Sequence, residues 1–310
     1  MGSVVLSLDA ELGWGFHDQE SPPTDRVERA RAGWKRLIDC FEEAAVPATW
    51  AIVGHLFLDD CDGEHASHPA SGDWFAAERG RWRSRPDLRF GEGLIERIEA
   101  SPIAHEIGSH SFSHVVFGDA DTTRTLAAAE TEASVELARE RGVSLSSFVY
   151  PRNRVGHRDT LAEGGFVCYR GRAPARDLDD FAGGRPLRKL AEATIDAPPL
   201  VRPRYDEFGL VNVPASLYLF GFEGLGRSIA ESVWDDPVVR AAKRGIDAAA
   251  EANGSENEVF HMWLHPNNLV TPRDVRRVRR ILAYLDAQRT AGRVSVETMT
   301  EVAARTDRVR

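Results

Sequence analysis

The sequence predicts an α/β protein, a mostly parallel sheet with helices packed outside it. Short apolar, β-branched runs alternate with stretches of helical periodicity along the chain. Reactive residues repeatedly follow the strand runs: Asp9 and Glu11, His110 and His114, Arg152 and Asn153, then His265. A barrel of parallel strands assembles its site from the loops at the C-terminal strand ends. With 310 residues and no repeat, low-complexity segment or linker, a single domain over 1–310 is expected.

Taken in order, residues 4–8 form a β-branched run that ends in Asp9-Ala10-Glu11, a strand delivering carboxylates at its end. Helical spacing over 26–44 puts Trp34, Leu37, Ile38 and Phe41 on one face. A second strand is expected over 47–53, stopped by Gly54. Residues 59–90, rich in Asp, Gly, His, Arg and Trp, read as a long inserted loop, a feature more often functional than idle. A helix over 92–100 leads to a strand over 102–107, broken by Gly108. Residues 121–141 read as a helix capped by Asp121 or Thr122. Strands at 147–150 and 166–170 flank a short helix at 157–163, and 172–204 is a second excursion. A strand at 210–213, a helix within 225–252 and a strand at 259–264 follow. The helix 271–288 opens on Thr271-Pro272, with proline at its favoured first position. A strand at 294–296 and a helix from Glu297 close the chain.

The formal net charge of -9 argues against generic nucleic-acid binding. Cys40, Cys61 and Cys168 are odd in number and widely spaced, so neither a disulfide framework nor a C-x-x-C zinc ribbon is expected. The first residues reach Asp9 too soon for a signal peptide, and no stretch is long and apolar enough for a membrane span. A cytoplasmic protein is the expectation, with a small molecule or glycan as substrate.

The chemistry concentrates in His105-Glu-Ile-Gly-Ser-His110-Ser-Phe-Ser-His114. Two imidazoles four residues apart can share one ion where the backbone turns or begins a helix. Such an ion wants a third protein ligand, often a carboxylate, and Asp9-Ala10-Glu11 is the nearest supplier. A histidine pair at this spacing is also a common helix-face or capping feature, and a lone strand-end Asp often caps a turn.

These segments, in this order, resemble the polysaccharide deacetylase (NodB-homology) family. His110-Ser111-Phe112-Ser113-His114 is similar to that family's His-Ser/Thr-x-x-His motif. Ser7-Leu8-Asp9-Ala10-Glu11 stands in the place of its Thr-Phe-Asp-Asp-Gly motif. Phe148-Val149-Tyr150-Pro151-Arg152-Asn153 resembles its Arg-x-Pro wall, and Trp263-Leu264-His265-Pro266 its Leu-His motif. Ala48 to Gly54 resembles its second strand. The resemblance implies a distorted (β/α)7 barrel, a divalent ion (zinc first, with cobalt, nickel or manganese as alternatives) and removal of an N-acetyl group from a sugar. It implies His110 and His114 as metal ligands and His265 as general acid, with Tyr150, Pro151, Arg152 and Asn153 on the substrate wall.

One departure stands out: Ala10 replaces the family's metal-binding second Asp, and Ala has no donor atom. Glu11 is the nearest replacement. Either Asp9 is the base and Glu11 a ligand, or the roles are exchanged. Trp14, Trp74 and Trp263 are candidate platforms for a sugar ring, though tryptophans are more often core. The alternatives are a metal-free amidase of the allantoinase-like branch, a barrel that binds carbohydrate without catalysis, and a glycosidase. The last needs two opposed carboxylates where only one acidic cluster is evident.

Overall fold

The computed structural model describes residues 2–70, 72–174, 197–221, 236–252 and 257–307. Strand β1 (Ser3–Ala10) is buried at every position and pairs in parallel with β2 (Thr49–Ile52), β9 (Val259–Leu264) and β10 (Ser295–Glu297). Complete burial explains why Val4, Val5, Leu6 and Leu8 do not alternate with exposed polar residues, because a strand covered on both faces has no solvent side. The sheet continues from β2 through β3 (Glu106–Ser109), β4 (Ser147–Val149) and β5 (Cys168–Arg170). Beyond β5 lie β7 (Val211–Asn212) and the antiparallel β6 (Arg204–Tyr205), while β8 (Leu217–Tyr218) flanks β9. The described strands thus form one ten-stranded sheet, parallel except at β6.

Helix α1 (Thr24–Glu43) buries Trp34, Leu37, Ile38 and Phe41 as its periodicity predicts, and Trp34 stacks on Trp50 of β2 at 5.7 Å. Helices α2 (Ala76–Arg79) and α3 (Pro86–Arg89) each make about one turn inside the 59–90 segment. Next come α4 (Ile95–Glu99), α5 (Arg124–Glu140), α6 (Arg158–Glu163), α7 (Pro237–Glu251), α8 (Pro272–Thr290) and α9 (Met299–Arg305). The Thr271 and Asp274 side chains close a capping box at the start of α8, where Pro272 needs no amide partner. No helix among the described residues is long and apolar enough to cross a membrane.

Several boundaries differ from expectation for identifiable reasons. Strand β3 runs through Gly108 instead of ending at it, because a Cβ there would lie 2.4 Å from Ser147 Oγ and 2.9 Å from the Ser147 carbonyl oxygen. Glycine allows two strands to close up at that point. The cap of α5 is Thr123, whose hydroxyl accepts from the Leu126 amide, so neither Asp121 nor Thr122 fills that position. Strands β6 and β8 have two residues each, too short for any periodicity to register. The start of the expected 225–252 helix and most of the 172–204 excursion lie outside the described residues.

Gly33 occupies the middle of α1, where glycine ordinarily costs about 1 kcal/mol relative to alanine. Its reason is the turn Pro266–Asn268 after β9: a Cβ on Gly33 would sit 2.2 Å from the Pro266 carbonyl oxygen. Gly33→Ala is therefore expected to lower the melting temperature despite its better helix propensity. A raised melting temperature would mean that the 266–268 turn can withdraw from α1 at no cost.

Candidate metal centre

Parallel strands deliver the reactive residues to one edge of the sheet. Asp9 belongs to the end of β1, His110 follows β3, Asn153 follows β4, Arg170 ends β5 and His265 follows β9. Asp9, His110, Asn153 and His265 border a cleft of about 220 Å³ with Glu11, His114, Arg152, Trp263 and Asn267, and Arg170 lies behind Asp9.

Glu11 Oε2 lies 3.2 Å from His114 Nε2 and 3.6 Å from His110 Nε2, with all three side chains buried. His110 Nδ1 lies 2.7 Å from the Val149 carbonyl oxygen, to which it donates, so Nε2 carries the lone pair. That Nε2 is buried without a hydrogen-bond partner. The turn holding the two histidines is strained, not helical: Ser111 and His114 have φ of 62° and 65°. Leu12, Arg152 and Asn153, also near the cleft, share this left-handed conformation. Such strain persists only where surrounding contacts over-determine it. Here buried Glu130 of α5 accepts the Ser113 amide at 2.8 Å and the Ser113 hydroxyl at 2.5 Å. The 3₁₀ turn Gly54–Phe57 donates the amides of Gly54 and His55 to the carbonyls of Ser111 and Phe112.

Glu11 is equally constrained. Asn267 Nδ2 donates to its Oε1 at 3.0 Å, and a Cβ at Gly15 would come within 2.1 Å of that oxygen. Burial alone would raise the Glu11 carboxyl, but the charge of His265 and the imidazoles of His110 and His114 beside it hold it well below the carboxylate range. One acidic oxygen and two imidazole nitrogens, all on buried side chains, thus converge at the cleft, which is the donor set of an N/O-ligated divalent ion with an open side. The residues present fit such an ion, with Glu11, His110 and His114 as its holders.

Asp9 stands apart from this triad. Both of its oxygens are bound by Arg170, at 2.6 and 2.8 Å, and Arg170 also reaches Ser7 Oγ and Asn153 Oδ1. Burial pushes the Asp9 carboxyl up, while Arg170, His110 and His265 outweigh it and hold the group below its ordinary value. Arg170 is fully buried and its guanidinium lies 4.4 Å from the centroid of Trp263. His265 Nε2 faces both carboxylates, 3.7 Å from Asp9 and 3.9 Å from Glu11, and its side chain is 21 % exposed. The Tyr218 hydroxyl approaches His265 Nδ1 at 3.4 Å, and the Asn268 side chain accepts the His265 amide.

Not every expected residue reaches the cleft. Trp14 is 1 % exposed, packed on His55 at 4.3 Å with its indole N–H on the Arg89 carbonyl. It is core, not a sugar platform. The Tyr150 side chain is buried among Phe117, Phe148 and Tyr169, and Pro151 is buried with it. Trp74 binds Ser113 Oγ through its indole N–H and lies edge-on to His17. Burial pushes His17 down to about 4, which keeps it neutral beside His114. Arg152 pairs with Asp18 across the rim. Five contributors were missed by sequence reasoning: Arg170, Asn267, Glu130, Tyr218 and Asn268. Only Arg170 left a signal, a cation ending an otherwise apolar strand.

No family model matches the sequence, and no curated protein matches it. Solved structures do resemble it. A candidate polysaccharide deacetylase from Mycobacterium smegmatis superposes with a TM-score of 0.61 at 16% identity, over 97% of this chain and 88% of that one. The Puue allantoinase gives 0.60 at 13% identity, over 97% and 89%. A GH57-type branching enzyme from Pyrococcus horikoshii gives 0.59 at 10% identity, over 99% and 71%. Neighbours named for such different chemistries share a fold with this chain and do not choose its reaction. The chain has the curled, mostly parallel half-barrel of deacetylase-type proteins.

Proposed function

We propose that the protein is a metal-dependent hydrolase of a non-peptide amide, removing the acetyl group from an N-acetylated sugar. The observation that carries this reading is the convergence of Glu11, His110 and His114 beside an ionised Asp9 and a partly exposed His265. When bound there, a divalent ion would polarise the amide carbonyl and make water a better nucleophile near neutral pH. Glu11 and the two histidines hold it, and Asn267 and Gly15 keep the Glu11 carboxylate in place.

Asp9 is the general base. Arg170 keeps it ionised and fixes its plane, so an oxygen is always ready to take a proton from attacking water. The water oxygen bonds to the carbonyl carbon, the carbon–nitrogen bond breaks, and the nitrogen takes its proton from protonated His265. Tyr218 and Asn268 hold His265 at the mouth, where a leaving amine departs to solvent. Trp263 has Tyr218 stacked at 4.2 Å and the Arg170 guanidinium 4.4 Å from its centroid, so it buttresses the Asp9–Arg170 pair and offers no free face to a sugar ring. The allantoinase likeness in fold keeps a small-molecule amide as the second reading. A glycosidase reading finds little support, because Asp9 and Glu11 lie on one side and His265 faces both.

Acetate release from N-acetylated sugars tests the proposal. Chelation is expected to abolish it and zinc or cobalt to restore it, with Asp9→Asn and His265→Ala each lowering kcat by about 10²–10⁴. Chelator-resistant turnover of a small amide would favour the second reading, and failure on both substrate classes would overturn the hydrolase.

Arg170→Met removes the cation that opposes the burial of Asp9, so the Asp9 carboxyl rises. The acid limb of the kcat/KM profile should move to higher pH, with kcat falling more than KM changes. Leaving a buried carboxylate unpaired should also cost about 3–5 kcal/mol of stability. An unmoved acid limb in a folded variant would remove Asp9 as the base.

A further inference from the structure

The 59–90 segment holds a second group of converging donors, outside the cleft. His55, from the turn after β2, meets Cys61 and His65 of the loop and Glu78 of α2, one donor atom from each lying within 4.8 Å of all the others. We infer that these four residues form a closed, structural zinc site that clasps the loop to the barrel.

The pairwise geometry favours an ion over a hydrogen-bonded network. His65 Nε2 lies 2.8 Å from Glu78 Oε2 and 3.3 Å from Cys61 Sγ. A Cys–His–Glu relay needs the thiol and the carboxylate on opposite ring nitrogens, whereas here one nitrogen faces both. His55 Nε2 lies 2.9 Å from Glu78 Oε1, yet this fully buried nitrogen makes no hydrogen bond. Its ring is set by Nδ1, which donates to the Arg89 carbonyl at 3.2 Å and leaves the lone pair on Nε2. A tetrahedral zinc, with bonds of roughly 2.0–2.3 Å, holds its ligand atoms roughly 3.3–3.8 Å apart. Separations running from 2.8 Å to within 4.8 Å need only small side-chain shifts to reach that shell.

The surroundings fit the same assignment. Arg89 occupies Glu78 Oε1 through its Nε and Nη2, which leaves Oε2 as a single-oxygen ligand. The Gly63 amide donates to Cys61 Sγ at 3.3 Å, and Gly63 has the left-handed φ of 83° that glycine adopts freely. With Cys61 as thiolate, the group offers a dication two negative charges and two neutral imidazoles. Four protein ligands leave no open position, so the role is structural. The described residues of this segment form two one-turn helices, and metal-binding energy would add to the burial of Phe75, Trp82 and Leu88 in holding it in place. The clasp also reaches the candidate centre, since His55 donates its amide to Phe112, between His110 and His114.

Cysteine separates the two sites, because the candidate centre contains none. Stripped protein reloaded with cobalt should show a near-ultraviolet thiolate-to-cobalt charge-transfer band that saturates at one equivalent. The band should persist in His110→Ala and vanish in Cys61→Ser. Zinc content should fall from two equivalents to one in either variant. Wild-type spectra suffice if Cys61→Ser fails to fold: a cobalt-loaded wild type without a thiolate band overturns the site. A band retained in folded Cys61→Ser, which would place the ion on another thiol, also overturns it. Neither result bears on the proposed hydrolase, which His110→Ala reports separately.

Discussion

The site depends on a charge pair buried at the end of a strand packed on both faces. β1 has no exposed position, so the carboxylate it carries at Asp9 must be compensated from within the barrel. Arg170, four strands away along the sheet, supplies the compensation with both guanidinium arms. The same arginine reaches Ser7 and Asn153 and lies against Trp263, so one side chain draws β1, β5, the loop after β4 and β9 together. Arg170 makes one contact to each Asp9 oxygen, and the carboxylate beside the histidine pair is that of Glu11. Ala10 between them has no donor atom, and the two carboxylates are left with separate partners.

Constraint spreads outward from that division. Glu130 and the Gly54–Phe57 turn hold the strained histidine turn, and Asn267 holds Glu11. Asn267 in turn depends on the 266–268 turn, which fits against α1 only because position 33 lacks a side chain. The side facing the 59–90 segment is closed by Trp14, His55 and Phe75, whose rings pack together. A shell of this kind keeps Glu11, His110 and His114 buried and at fixed separations.

Much of this arrangement was legible in the sequence, and the remainder was hidden for physical reasons. β1, β2 and β9 announced themselves because buried parallel strands need continuous apolar runs. The histidine turn and the Asp9-Ala10-Glu11 end stood out because reactive residues at strand ends are hard to explain otherwise. Arg170 was not recognised as a partner of Asp9, since 161 residues separate them and no local pattern links them. Trp14 looked like a platform next to the carboxylates, but its indole turns inward to the Arg89 carbonyl, a contact over 75 residues. Cys61, His65 and Glu78 were scattered through a loop without periodicity, and only the folded chain brings them to His55.

The central claim is that Glu11, and not Asp9, shares a point with His110 and His114. Competitive zinc titration of Glu11→Ala and Asp9→Asn, each checked for folding, tests it most directly. Glu11→Ala should lose one zinc equivalent while Asp9→Asn keeps the wild-type stoichiometry. Loss of an equivalent in Asp9→Asn with full retention in Glu11→Ala would contradict the assignment and exchange the two roles.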